Sequence, residues 1–184
     1  MTYSIQNLLE DIKQAQSQCT DESELIDSIK PLAIRAAMDP ELIQEKMYKA
    51  DEELGYGSTL LHEEPDKSLF IVVDSWLPGR GVRPHDHGTW AVVVSMTGTE
   101  KNILWRRTDD GSKQGFAELE KQREVDVDMG EAIGMLTGEI HSVENQGSAT
   151  TLSLHIYGQH LNHTGRSQFD PDTKTEYPFL IETQ

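Results

Sequence analysis

The chain has 184 residues, 36 % of them hydrophobic and 26 % charged, enough for one domain with a proper core and too few for two ordinary ones. Its 16 Lys+Arg stand against 32 Asp+Glu, a formal net charge of -16. A body that acidic repels phosphate backbones and anionic lipid, which argues against nucleic-acid and membrane-surface roles.

The first segment reads as helical: Ile5, Leu8, Leu9 and Ile12 fall on one face at helical spacing. A second helix is expected to start at Asp21 to Ser23 and to carry Leu25, Ile26 and Ile29, with Pro31 placed to kink or restart it. Asp39-Pro40-Glu41 reads as a third helix start, with a capping aspartate, proline at the first helical position and an acid in the first turn. Cys19 is the only cysteine, so no intramolecular disulfide forms, and no signal-peptide pattern opens the chain. The expected setting is cytoplasmic.

From Tyr56 the apolar period changes from helical to two. Strands are expected over 59–62, 68–76, 89–96, 99–107, 116–127, 132–136 and 150–157. Turn signals such as Pro78-Gly79-Arg80-Gly81, Thr97-Gly98, Met129-Gly130 and Asn145-Gln146-Gly147 separate them. The longest apolar runs, 70–73 and 90–94, are strand-sized and far short of a membrane span. Segment 162–172 reads as loop, and 177–181 as an edge strand or packed tail. Many short strands with no long helix among them predict a mainly β sandwich or small barrel. The expected organisation is a single domain over 1–184, with helices in 1–54 packed on a barrel in 55–184.

The seven histidines are not scattered evenly. His85 and His87 form an H-x-H pair after a glycine-rich turn. On a strand, residues two apart face the same side, so both imidazoles converge while Asp86 turns away. Neutral imidazole suits iron, zinc, copper and nickel, though the pair alone serves equally as loop histidines. In 151–157 the odd positions are Ser153, His155 and Tyr157, and the even ones are Leu152, Leu154 and Ile156. The polar face then lines a cavity while the aliphatic face packs on the helices, or else the polar face meets solvent. His141, between these segments, is the natural third ligand. No nucleophile elbow accompanies the serine, so a hydrolase triad does not fit.

These residues resemble the two signature motifs of the cupin superfamily. The first is Gly79, five residues, His85-x-His87 and then Gly98 after the following strand. The second is Gly130, seven residues, Gly138, two residues, His141, three residues, Asn145. The glutamate usual after the H-x-H pair is replaced by Ala91. A three-histidine cupin followed by Ser153-x-His155-x-Tyr157 resembles the thiol dioxygenases, the family of cysteine and 3-mercaptopropionate dioxygenases. The resemblance covers about residues 56 to 166 and implies a cupin double-stranded β-helix, or jelly-roll barrel, with an N-terminal helical segment. It implies a mononuclear non-haem Fe(II) on His85, His87 and His141, and it implies a small thiol and dioxygen as substrates and a sulfinic acid as product. Tyr157 would stand near the reacting atoms, held by His155, itself held by Ser153.

The sequence departs from the family in ways that bear on substrate. The cysteine that cross-links to the tyrosine in animal-type enzymes is replaced by Ala91, so no Cys-Tyr cross-link forms. No arginine lies between Arg35 and Arg80, where the cysteine-specific enzymes place one. Arg166, nine residues beyond Tyr157, matches the carboxylate-binding arginine of the mercapto-acid branch and predicts bidentate recognition of a substrate carboxylate. That branch's upstream glutamine is missing, leaving Ser58 or Thr59 in its place. Trp76 and Trp90 read as packing residues. The expected pocket is locally positive inside a negative shell, from the metal, neutral histidines and Arg166. Two other readings share the fold: a three-histidine cupin dioxygenase acting on a carbon substrate, and a non-catalytic cupin that binds metal or a small acid.

Overall fold

The computed structural model describes residues 3–183. Helix α1 (Ile5–Gln18) begins in a capping box in which the Ser4 hydroxyl accepts from the Asn7 amide and the Asn7 side chain accepts from the Ser4 amide. Helix α2 (Glu22–Ala37) begins on Asp21, whose carboxylate accepts from the Glu24 amide. It runs through Pro31 without ending. The lost backbone bond costs about 3 kcal/mol, offset by burial of Ile26 and Ile29 before the proline and Ala33, Ala36 and Ala37 after it.

The third helix expected at Asp39-Pro40-Glu41 does not form. The Asp39 carboxylate accepts from the amides of Tyr3 and Glu41, and the Leu42 amide closes a single turn onto Asp39. The chain then makes a short 3-10 turn, Glu45–Tyr48. Asp39 thus serves as a tie between the N-terminus and the turn rather than as a helix cap.

Among the described residues eleven strands follow: β1 (Tyr56–Glu63), β2 (Phe70–Trp76), β3 (Gly81–His85), β4 (Ala91–Thr97), β5 (Thr99–Arg107), β6 (Leu119–Asp128), β7 (Ala132–Met135), β8 (Ile140–Glu144), β9 (Thr151–Tyr157), β10 (Ser167–Asp170) and β11 (Thr175–Pro178). They form two antiparallel sheets, in the orders β1-β2-β9-β4-β7 and β11-β10-β3-β8-β5-β6. The mainly β architecture expected from the period-two pattern is therefore present. Three strands lie outside the expected set. β3 and β8 are five residues each, too short to show a period, and β3 contains a glycine and a proline. Segment 162–172, expected as loop, contains β10, which pairs with β11 and meets β3 at Gln168↔His85.

Strand β9 sits at the centre of the first sheet, and all seven of its residues are buried. Leu152, Leu154 and Ile156 pack outward with Ile71, Val73, Val92 and Val94 against Leu8, Ile12, Ile26 and Ile29 of the helices. Gly134 lets α2 lie close: a Cβ there would stand 2.2 Å from Ile26 Cγ2. Ser153, His155 and Tyr157 turn inward between the sheets. This is the first of the two orientations that the alternation allowed, and the helical layer decides between them by covering the aliphatic face. Among the described residues, no helix is long and apolar enough to cross a membrane.

Candidate metal centre

The second sheet places His85 opposite His141 in the β3–β8 register. His87 follows two residues beyond His85, just past the end of β3. Asp86 turns away, as expected, and accepts from the Ser167 amide at 2.9 Å. One ring nitrogen of each histidine lies within 4.8 Å of those of the other two, and all three side chains are buried. Two-residue spacing brings both rings to one face on a continuous strand. His87 instead leaves the strand and still converges.

Hydrogen bonds fix which nitrogens face inward. His85 Nδ1 lies 2.9 Å from the Arg83 carbonyl, which can only accept, so this nitrogen carries the proton and Nε2 a lone pair. His141 Nδ1 donates to Asn102 Oδ1 at 2.7 Å, leaving its Nε2 bare as well. His141 Nε2 then meets His87 Nε2 at 3.2 Å, while His87 Nδ1 is buried with no partner. Buried lone pairs aimed at one point from neutral rings suit a divalent cation. The residues therefore fit a metal held by three imidazoles, two of them oriented by an oxygen acceptor behind the ring.

Burial holds these histidines neutral. It pushes His141 down to about 4, and it pushes His85 and His87 well below their ordinary value, with the neighbouring imidazoles adding to the effect. Without metal, the unfolded chain binds more protons than the folded one at these positions between pH 6.5 and about 4, so stability rises with pH across that window. His155 works in the opposite sense: its pKa is raised, so its contribution is complete below its ordinary value and is lost as pH climbs through the folded one. The His155 window lies above pH 6.5 and that of the three clustered histidines below it, so His155 does not oppose them there. The melting temperature of chelator-treated protein is expected to begin falling below pH 6.5, above the carboxylate range. A curve flat down to pH 5 would contradict it.

Ser153, His155 and Tyr157 form a continuous chain. Ser153 Oγ lies 2.8 Å from His155 Nε2, and His155 Nδ1 lies 2.8 Å from the Tyr157 hydroxyl. The Tyr157 ring is 5.0 Å from that of His87, centroid to centroid. Trp76, expected as packing, also donates from Nε1 to Ser153 Oγ at 2.9 Å. Its indole nitrogen is buried and takes the acceptor in reach.

Two buried acids were not singled out by the sequence reading. Asp74 accepts from Ser58 Oγ at 2.5 Å and places Oδ2 3.6 Å from His155 Nε2. Glu100 places Oε2 3.7 Å from the same nitrogen. Burial alone would lower His155, but the Asp74 and Glu100 carboxylates reverse it and raise its pKa. Glu100 itself is held at about 2: burial would raise it, and the nearby His155 together with the Asn102 amide outweighs that. The interior is thus a balance of charges rather than a purely positive pocket. An acid inside the buried run 70–76, in phase with Trp76, was the available signal for Asp74.

Arg166 is 5 % exposed and lies in the same cavity as His85, His141, His155, Tyr157, Asp74 and Tyr56. Its Nε donates to the Phe179 carbonyl at 3.0 Å, and its guanidinium stacks 4.0 Å over the Phe179 ring. Among the described residues this is the one hydrogen bond of the side chain, so both terminal nitrogens keep their donors for another acceptor. Phe179 and Ile181 wall the cavity, and Asn162 ties that segment down through both backbone groups of Ile181. The space open to water inside is about 20 Å³, enough for a very small occupant.

Several solved structures are similar to this chain. An uncharacterized conserved protein with a double-stranded β-helix domain from Klebsiella pneumoniae subsp. pneumoniae MGH 78578 superposes with a TM-score of 0.50 at 12 % identity, covering 71 % of this chain and 92 % of that one. An oxalate oxidase in complex with the substrate analogue glycolate gives a TM-score of 0.48 at 21 % identity, over 77 % of this chain and 65 % of that one. Bacillus subtilis oxalate decarboxylase, a protein with Mn(II) centres, gives 0.40 at 20 % identity, over 50 % and 22 %. The chain therefore spans less than two thirds of the oxalate oxidase and decarboxylase chains. No protein-family model matches the chain, and no curated protein matches it. By sheet order and by likeness to the Klebsiella protein, the chain has the cupin double-stranded β-helix fold, with a three-histidine site between its sheets.

Proposed function

We propose that the chain is an Fe(II)-dependent thiol dioxygenase, in which R–SH and O2 give R–SO2H, acting on a small thiol that carries a carboxylate. The observation that carries this reading is the Ser153–His155–Tyr157 chain, with contacts of 2.8 Å, which ends beside the three histidines in the cavity that also holds Arg166. His85, His87 and His141 would hold the iron. All three ligands being neutral, Fe(II) would keep its full dipositive charge and supply an open face for a thiolate and dioxygen.

The remaining tasks fall to the chain's own side chains. Arg166 pairs its two free terminal nitrogens with the substrate carboxylate, and its tie to the Phe179 carbonyl fixes the fork in place. Tyr157 presents a hydroxyl at the reacting end, held by His155. Burial and the Asp74 carboxylate keep that hydroxyl a phenol by raising its pKa well above the ordinary value. It therefore acts as a hydrogen-bond donor rather than as an anion. The walls formed by Leu161, Phe179 and Ile181 exclude water.

The test is oxygen uptake by iron-loaded protein across cysteine, 3-mercaptopropionate, mercaptosuccinate and cysteamine. Uptake is expected with the carboxylate-bearing thiols, with one O2 consumed per sulfinate formed. No uptake with any of the four would sink the reading. A second reading, a dioxygenase acting on a small carboxylic acid at carbon, is supported by the same histidines and Arg166, since a guanidinium recognises the carboxylate whatever else the molecule bears. It predicts uptake without a thiol and assigns no task to the Ser153–His155–Tyr157 chain.

A further inference from the structure

Glu100 is a buried acid with no part in holding the metal or substrate. It lies near the start of β5, is 1 % exposed, and faces inward from the sheet opposite β9. Its two oxygens meet two different chains of contacts. Oε1 accepts from Asn102 Nδ2 at 3.0 Å, and Asn102 Oδ1 accepts from His141 Nδ1 at 2.7 Å. Oε2 stands 3.7 Å from His155 Nε2 with no hydrogen-bond partner of its own. It does not belong to the group of donors that lie within 4.8 Å of one another, which is His85, His87 and His141.

We propose that Glu100 is a positioning residue shared by the metal centre and the tyrosine: through Asn102 it sets the tautomer of His141, and through His155 it orients the hydroxyl hydrogen of Tyr157. This rests on the metal and tyrosine roles proposed above.

The first arm follows from donor and acceptor counting. A primary amide can turn either end toward a neighbour. A carboxylate only accepts, so Glu100 takes the NH2 end of Asn102 and forces its oxygen toward His141. An oxygen there requires the proton on Nδ1 and leaves the lone pair on Nε2, where the other two histidines converge. Without Glu100 the amide is free to turn its NH2 toward His141, which draws the lone pair to Nδ1, the wrong side.

The second arm concerns which way a hydrogen bond runs. His155 Nε2 is faced by Ser153 Oγ, Asp74 Oδ2 and Glu100 Oε2, and two negative charges 3.6 and 3.7 Å away favour the imidazolium, protonated on both nitrogens, over either neutral ring. With both ring nitrogens protonated, Nδ1–H donates to the Tyr157 oxygen and frees the phenolic hydrogen to point into the cavity. With Nδ1 bare, the phenol donates to the ring and its hydrogen is used up. The raised pKa of His155 agrees with the first arrangement.

Neither arm needs turnover to be measured. The full chain loaded with Zn(II), which is diamagnetic, permits nitrogen-15 NMR of the imidazole rings, and anaerobic titration gives Fe(II) affinity. In the wild type, His155 is expected to carry protons on both nitrogens and His141 on Nδ1. Glu100→Gln is expected to remove the Nδ1 proton of His155 and to weaken Fe(II) about 10–100-fold, the usual cost of losing a partner behind a ligand. Asn102→Leu is expected to weaken Fe(II) similarly while leaving the His155 signals unchanged. A wild-type His155 with Nδ1 unprotonated overturns the proposal even if the Glu100 variant fails to fold. So does a folded Glu100→Gln with wild-type affinity and signals. Failure of the thiol panel would leave these readouts in place, so the two readings fail separately.

Discussion

His141→Ala is expected to lower Fe(II) affinity by more than about 100-fold, since losing only the partner behind a histidine ligand costs about 10–100-fold. Oxygen uptake should disappear with the metal. The reason lies in where the ligands originate. His85 and His87 come from one segment at the end of β3, while His141 comes from β8 and supplies a nitrogen 3.2 Å from His87 Nε2. Without it, both remaining imidazoles approach from one side, and nothing protein-derived replaces the third bond. Glu100 is outside the cluster of donors and is engaged by the Asn102 amide instead. Anaerobic titration checks affinity, and circular dichroism checks that the variant is folded. Retention of both iron and activity would defeat the ligand assignment.

Arg166→Met is expected to reduce kcat/KM for carboxylate-bearing thiols by about 10²–10³-fold and to leave cysteamine, which has no carboxylate, nearly unchanged. Truncating one member of a buried, hydrogen-bonded charge pair costs about 2–5 kcal/mol, and each 1.4 kcal/mol is about tenfold. Arg166→Lys should recover little. A lysine cannot both hold the Phe179 carbonyl, as Arg166 Nε does at 3.0 Å, and offer two parallel donors to a carboxylate. Steady-state oxygen uptake on the four thiols measures the effect. Equal losses on all of them would mean that Arg166 supports the wall formed by Phe179 rather than the ligand.

The parts of the molecule that were legible in the sequence share one property: their pattern is long enough to have a phase. Strand β9 alternates over seven residues, so the polar and aliphatic faces could be separated, and α1 repeats over nearly four turns. β3 and β8 carry His85 and His141 yet run five residues each, and His87 lies just past β3, so motif spacing, not periodicity, found these histidines. Glu100 and Asn102 were missed for a different reason. In Ile103-Leu104-Trp105 three apolar residues fall in succession, and β5 then offers no reading of which face is inside. Asp74 was more accessible, as a charge within a strand whose residues are all buried. Arg166 could be matched by its distance from Tyr157, but its tie to Phe179 joins residues whose proximity only the fold provides. Pro31 and Asp39 show the converse: local signals of helix breaking and helix starting were overruled by the apolar surface available to cover and by the backbone amides in reach.

Strand β9 has one backbone serving two layers. Its odd side chains form the hydrogen-bonded chain beside the histidines, and its even side chains are gripped by α1 and α2. The position of the Tyr157 hydroxyl is therefore set partly from outside the sheet, by residues that touch no substrate. A screen of this chain for retained turnover should accordingly find intolerant sites in the helices, at Ile12, Ile26 and Ile29, and these would be mistaken for a second functional surface by anyone unaware that the strand is shared. In this architecture the helical layer serves as the jig against which the chemistry is aligned.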